Sequence, residues 1–159
     1  MKIGIIADTH DNMPKIVSAV RIFNNSGVEA IIHAGDYVAP FALRPFEEFH
    51  GQFYGVLGNN DGETEGLRKS SMGRIVERSL KFELGGAKFY LRHSFEDPEG
   101  SVDAGDWKYL VCGHTHKARV IRGKKGMLIN PGEACGWISG RSTAAIIDTA
   151  SEEAEIIDI

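Results

Sequence analysis

The chain has 159 residues, 42% of them hydrophobic and 25% charged, with a net charge of −4 at pH 7. That length suits one domain, residues 1–159, with a sizeable core, and the composition is that of an ordinary globular protein. The acidic balance, with a pI near 5.9, opposes sequence-independent attraction to nucleic acid, which needs clustered Lys and Arg, and no sequence-specific nucleic-acid partner is expected.

Ile3 to Ala7 reads as a buried first strand, short, apolar and β-branched. Pro14 suits an early helical position. Ile16, Val17, Val20 and Phe23 then recur as a helical stripe, which Asn24-Asn25-Ser26-Gly27 ends. Glu29 to His33 is a second buried strand, Pro40 to Phe49 a helical segment interrupted by Pro45, and Gln52 to Leu57 a third strand. Glu63 to Gly73 reads as a loop. Arg74 to Leu84 and Ala87 to His93 alternate weakly around Gly85-Gly86, a hairpin signal. Phe95 to Asp106 is loop-like and acidic. Lys108 to Cys112, Ala118 to Ile121, Met127 to Ile129, Thr143 to Asp148 and Ala154 to Ile157 are further short strands. A strand–helix half followed by a strand-rich half predicts two packed sheets with helices outside.

The opening Met1 to Asp8 is too short and too soon charged for a signal peptide, and no apolar stretch approaches membrane-spanning length. Two cysteines make no disulfide scaffold, and Cys112, inside an apolar run, reads as a buried, inert thiol. A cytoplasmic location without membrane attachment is the expectation.

Polar clusters follow the strands. Asp8-Thr9-His10 follows the first; residues two apart in extended chain point the same way, so both side chains can reach one cation. Asp36 follows Gly35 after the second strand, where glycine permits a sharp turn. Asn59 follows Gly58 after the third, His93 closes a fourth, and His114-Thr115-His116 follows Gly113 after a fifth. Taken singly most have plainer readings: a solvated loop for Asp8 and His10, a helix N-cap for Asp36, a turn for Asn59, a core hydrogen bond for His93. Only the pair His114 and His116 is sharp alone. Seven imidazole, carboxylate and amide donors at the ends of five strand-like runs are another matter. They suit divalent first-row metals, and a carboxylate can bridge two of them. Ligand sites in parallel sheets lie at those strand ends. His33 is expected to hydrogen-bond near this site and His50 to cap a helix end; neither is assigned to metal.

The set D-T-H at 8–10, G-D at 35–36, G-N-N-D at 58–61, His93, G-H-T-H at 113–116 and the turn Asn130-Pro131-Gly132 resembles the calcineurin-like metallophosphoesterases, and by its order and small size the YfcE-like phosphodiesterase group. The resemblance covers nearly the whole chain. It implies an α/β fold, a four-layer α/β/β/α sandwich of two mixed β-sheets flanked by helices. It implies Asp8, His10, Asp36 and His116 around one metal and Asp36, Asn59, His93 and His114 around the other, with Asp36 bridging. The metals implied are manganese or nickel first, then cobalt, iron or zinc. The implied function is hydrolysis of a small phosphodiester by metal-activated hydroxide without a phosphoenzyme; a homodimer is implied by resemblance alone.

The departures carry information. Larger relatives often have histidine where Asn60 stands, whereas the small-phosphodiesterase group commonly does not; Asn60 can donate a hydrogen bond but is no acid at neutral pH, which favours activated or nucleotide leaving groups. Asn60 and Asp61 are the candidate catalytic residues beyond the metals, for substrate contact or orientation. Ser94 replaces a glycine. Glu133 replaces a serine and, pointing inward, would disfavour doubly charged monoesters. The loops Glu63 to Gly73 and Phe95 to Asp106 are expected to wall the cleft, and Arg68, Lys69 and Arg74 to form a solvated face. Rival readings are a phosphomonoesterase or nucleotide pyrophosphohydrolase with the same residues, a protein-binding module like the retromer scaffold subunit, and a redox metal protein.

Overall fold

The computed structural model describes residues 1–159. The first sheet is built on β1 (Lys2–Ile6), β2 (Ala30–His33) and β3 (Gln52–Val56), which run parallel with β1 beside β2 and β2 beside β3. β1 and β2 are buried along nearly their whole length, as expected of parallel strands covered on both faces. Helix α1 (Met13–Asn25) connects β1 to β2; the Asn12 side chain accepts from the Lys15 amide at its start and Pro14 sits in its first turn. Its buried face is Ile16, Ala19, Val20 and Phe23, whereas Val17, expected in that stripe, is 53% exposed. At 100° per residue, Val17 lies off the face that Ile16, Val20 and Phe23 share.

The segment Pro40–Glu48 is a 3₁₀ helix with Pro45 inside it, not a broken α-helix. Thr64–Ser70, read as loop from the sequence, forms helix α2, which buries only Leu67. One apolar anchor in seven residues is too faint a period to read. The run from Arg74 to Leu84 is not one strand. Ile75–Val76 (β4) joins β3 in parallel, the chain crosses at exposed Glu77 and Arg78, and Ser79–Leu84 (β5) pairs with β6 (Ala87–Arg92) in the other sheet. The β5–β6 turn has positive φ at both Gly85 and Gly86, the geometry a two-residue hairpin loop demands.

The second sheet runs β5–β6–β7–β9–β8, where β7 is Tyr109–Val111, β8 Ala118–Arg122 and β9 Met127–Pro131. Strands β10 (Thr143–Asp148) and β11 (Glu153–Asp158) return to the first sheet, giving β11–β10–β1–β2–β3–β4. Both sheets mix parallel and antiparallel pairs.

Three apolar layers hold this together. Phe23, Ile31, Tyr37, Phe46 and Leu67 pack between the first sheet and its helices. Ile3, Ile5, Ile32, Phe89, Tyr109, Val111 and Ile129 pack between the sheets. A ring stack from Tyr54 through Phe82 and Phe89 to Tyr109, with centroids 4.3, 5.3 and 4.9 Å apart, crosses from one sheet to the other. On the outer face of the second sheet, Leu110, Cys112 and Leu128 lie under Val102, Phe95 and Trp107. The expected outer layer there is thin: one helical turn, α3 (Pro98–Ser101), and its flanking loop. No helix is long and apolar enough to cross a membrane.

Candidate metal centre

All seven predicted donors meet where β1, β2, β3, β6 and β7 end. Asp8 and Asp36 are essentially without solvent exposure. His10 Nε2 and His93 Nε2 each stand 3.5 Å from Asp36 Oδ2, so one carboxylate oxygen faces two imidazoles. On one side Asp8, His10, Asp36 and His116 bring ligand atoms within 4.8 Å of one another. The His10 and His116 rings stack there, and His116 Nε2 is 3.8 Å from Asp8 Oδ1. On the other side Asn59 Oδ1 lies 2.9 Å from both His93 Nε2 and His114 Nδ1. His114 and His116 therefore face different groups of donors.

The backbone reaches this arrangement differently from the expectation. Asp8, His10, Asp36, His114 and His116 have φ of 52°, 38°, 61°, 70° and 58°. These are left-handed residues, not extended chain, so the side chains converge through tight turns. Asp and His tolerate that region better than most side chains, yet each costs about 1–3 kcal/mol and persists only where surroundings enforce it. Val38, β-branched at φ 86°, lies in the same turn as Asp36. The enforcement is visible: the Asp8 carboxylate accepts from the His114 amide, and the amides of Asp8 and His10 donate to the carbonyls of Gly35 and Asp36.

Close approach matters most at Gly58, where a Cβ would collide with Asp36 Oδ1 and the Asp36 amide nitrogen. Asp61 turns its carboxylate onto the amides of Asp36, Gly58 and Val38, at 3.0, 2.7 and 2.8 Å. It shapes the turn that carries Asp36, and burial raises its pKa against those hydrogen bonds. Asn60 is exposed and holds Asp36 twice, through its amide to Oδ1 and its side-chain Nδ2 to Oδ2. His33 is fully buried, close to Thr9 Oγ1 and accepting from the Gly35 amide; burial drives its pKa well down, so it is a neutral brace. His50 is exposed and apart from the site.

The donors fit cations. His93 Nδ1 lies 2.7 Å from the Ala34 carbonyl, so the hydrogen-bond network assigns its proton to Nδ1. Burial lowers the His93 pKa and favours the neutral ring. Its Nε2 lone pair then faces the oxygens of Asn59 and Asp36, with no proton between them. His116 repeats the pattern: Nδ1 donates to Glu133 Oε2 at 2.9 Å, leaving Nε2 toward Asp8. His10 Nε2 is buried without any hydrogen-bond partner. Burial raises the Asp8 pKa to about 7, against the pull of His116. Acceptors converging on acceptors are costly unless positive charge lies between them.

Cys135 and Trp137 escaped the sequence reading, and Glu133 takes a role it did not assign. Glu133, expected to face substrate if it pointed inward, is buried behind His116. It also accepts from Cys135 Sγ and the amides of Ile138 and Ser139. Burial pushes its carboxyl up, but those hydrogen bonds prevail and hold it at about 2. Cys135 shares a cluster of potential ligand atoms with His10 and His116; burial lifts its thiol to about 12, as it does that of Cys112. Trp137 stands two-thirds exposed beside His10. The signal for all three was the departure at Glu133, whose direction depends on the turn before it.

A cavity of about 270 Å³ opens beside His114, lined by Ser94, Phe95, Pro98, Lys117 and Arg119 among others. The start of the Phe95–Asp106 segment thus walls space next to the centre. The Glu63–Gly73 segment contributes instead to a separate cleft with Leu43, Phe46 and Phe53, which includes none of the seven donors. Arg68, Lys69 and Arg74 are exposed, as a solvated face requires.

Comparison with known proteins agrees. Residues 1–152 match the calcineurin-like phosphoesterase superfamily domain. The chain is 36% identical over 159 residues, 96% of each protein, to Phosphodiesterase MJ0936 of Methanocaldococcus jannaschii. A solved novel archaeal phosphodiesterase superposes with a TM-score of 0.91 at 35% identity over all of both chains. YfcE, a phosphoesterase from E. coli, shares the fold at TM-score 0.73 and 18% identity over all of both chains. So does zinc-complexed Vps29 from Entamoeba histolytica, at 0.71 and 16% over 99% of each. The match along almost the whole sequence and the converging donors agree: the chain belongs to the calcineurin-like phosphoesterase superfamily.

Proposed function

We propose that this chain is a phosphodiesterase working with two divalent cations, one held by Asp8, His10, Asp36 and His116 and the other by Asp36, Asn59, His93 and His114. The observation that carries the reading is Asp36 Oδ2, equidistant at 3.5 Å from an imidazole of each set. When bound, such a pair supplies Lewis-acid activation of a phosphoryl group and a hydroxide nucleophile near neutral pH. Manganese and nickel are the first choices, with cobalt, iron and zinc behind them; N/O donor sets follow availability as much as affinity.

The chain's own residues do the positioning. Ala34 and Glu133 fix the tautomers of His93 and His116, so that each presents a lone pair inward. Asp61 locks the turn behind Asp36. Asn60 reaches the exposed side of the centre as a donor, but it holds no proton it can give a leaving group at neutral pH. Esters whose leaving group departs unaided are therefore favoured. The cavity beside His114 gives an ester arm room, with Lys117 supplying positive charge and Arg119 paired with Glu99 at 2.6 Å. The name carried by the Methanocaldococcus relative supports a diester over a monoester. Buried Glu133 no longer bears on that choice. A scaffold like Vps29 is the rival fold-mate; seven intact donors favour the hydrolase. Two free, buried cysteines suit a reducing compartment such as the cytoplasm.

The test is hydrolysis of bis-p-nitrophenyl phosphate and p-nitrophenyl phosphate by metal-stripped protein, with manganese or nickel restored, beside Asp36→Asn. Metal-dependent cleavage of the diester, lost in the variant, is the expected result. Metal binding without turnover of the diester would overturn the reading, and faster monoester cleavage would replace it with a monoesterase.

A further inference from the structure

Past the Asn130-Pro131-Gly132 turn the chain lies against the loop that carries Asp8 and His10. The amides of Ala134 and Cys135 donate to the carbonyls of Ala7 and Asp8, and Asn12 Nδ2 donates to the Cys135 carbonyl at 2.8 Å. Trp137 Nε1 then lies 3.5 Å from the carbonyl of His10. The next two amides, of Ile138 and Ser139, are held by the Glu133 carboxylate, the same group that holds His116. One buried side chain thus fixes a metal-ligating imidazole and the loop beside it.

This anchored loop presents two large apolar residues to water, Trp137 at 66% and Ile138 at 74% exposure. Nothing in the chain covers them, though most of its apolar rings and aliphatic side chains are buried. An indole whose N–H faces a backbone carbonyl, on a loop held by Glu133, is a flat apolar face beside the site. Here it stands beside His10, outside the group of residues that lines the cavity at His114. Aromatic faces of this kind stack nucleobases with little regard to sequence. The net charge of −4 opposes a polyanionic strand and suits a small nucleotide.

We infer that Trp137 is the stacking platform for a nucleobase, so that the enzyme's diester substrates are small nucleotides. The inference rests on the phosphodiesterase reading for the reaction but on Trp137 alone for the base. Binding separates the two. Manganese-loaded protein is titrated calorimetrically with AMP and with ribose 5-phosphate, which share the 5′-phosphate and differ in the base. AMP should bind about tenfold tighter, within the range that base–aromatic stacking gives. Trp137→Ala should bring AMP to the level of ribose 5-phosphate and leave the latter unchanged, while Trp137→Phe keeps most of the preference. Equal binding in the wild type, or a preference that survives Trp137→Ala, overturns the inference. So does a wild-type dimer that Trp137→Ala turns into a monomer with AMP preference intact, because the face would then join two copies. If the base preference holds while bis-p-nitrophenyl phosphate is not cleaved, the platform stands and the diesterase reading falls.

Discussion

At the scale of the residue, Glu133 and Asp8 show how buried carboxylates divide their labour. Glu133 is ionised and saturated with donors, so its work is to hold His116 by Nδ1. Carboxylates in that position orient the ring and raise its basicity, and losing one typically costs about 10–100-fold in metal affinity. Glu133→Gln should weaken one of two manganese sites by that factor and spare the other, read by calorimetric titration; two unaltered sites would refute the role. Asp8 behaves oppositely, because burial raises its pKa from 3.8 to about 7 in the metal-free protein. Between those values the native state holds a proton that the unfolded chain has released, so this group's contribution to stability falls as pH rises from 4 to 7. The slope is at most about 1.4 kcal/mol per pH unit. Glu133 has the reverse sign and a lower window, its contribution present above about 4.5 and lost as pH falls toward about 2. Melting temperature of metal-free protein should therefore decline from pH 4 to 7 more steeply in the wild type than in Asp8→Asn. Identical slopes would remove Asp8 as the cause.

At the scale of the element, the turn after β3 is the tightest joint in the site. Gly58 is itself none of the seven donors, yet the Cβ of Gly58→Ala would collide with the Asp36 carboxylate and amide. Displacing a group in the reacting centre by an ångström can cost about 10²-fold in rate. The variant should lose at least that in diester turnover and bind metal more weakly in both sites, since both use Asp36. A variant with full activity would mean that the turn yields without moving Asp36. Turns of this kind mark the limit of what could be read beforehand. β1, β2 and β3 were legible because each is a short, mostly apolar run that ends in turn residues, Ala7-Asp8, Gly35-Asp36 and Gly58-Asn59. The seven donors were legible because their residue types repeat at strand ends. Glu133 was not, because its inward course depends on how the chain folds back after Gly132, not on any local pattern. β4 and β5 were merged for a related reason: the switch between sheets at Glu77 and Arg78 carries no glycine or proline to mark a break in the chain.

At the scale of the whole molecule, the centre is a seam. Asp8, His10, Asp36 and Asn59 follow strands of the first sheet, whereas His93, His114 and His116 follow strands of the second. Far from this end the sheets are joined by apolar packing and the Tyr54–Phe82–Phe89–Tyr109 stack. At the site they meet through buried polar groups, with the Asp8 carboxylate accepting from the His114 amide, and through the donors proposed to share two cations. Metal binding should therefore act as a clamp between sheets. A ligand present at 100 times its dissociation constant stabilises the folded state by about 2.7 kcal/mol. For a chain of this size that is roughly 5–10 °C in melting temperature. Addition of manganese to stripped wild-type protein should give such a rise, and Asp36→Asn, which weakens the donor shared by both sets, should lose most of it. Hydrogen exchange locates the effect: the His114 amide, donated across the seam to Asp8, should slow with metal, while the Gly85-Gly86 turn should not. If the turn slowed and the His114 amide did not, the cations would be binding elsewhere than between the sheets.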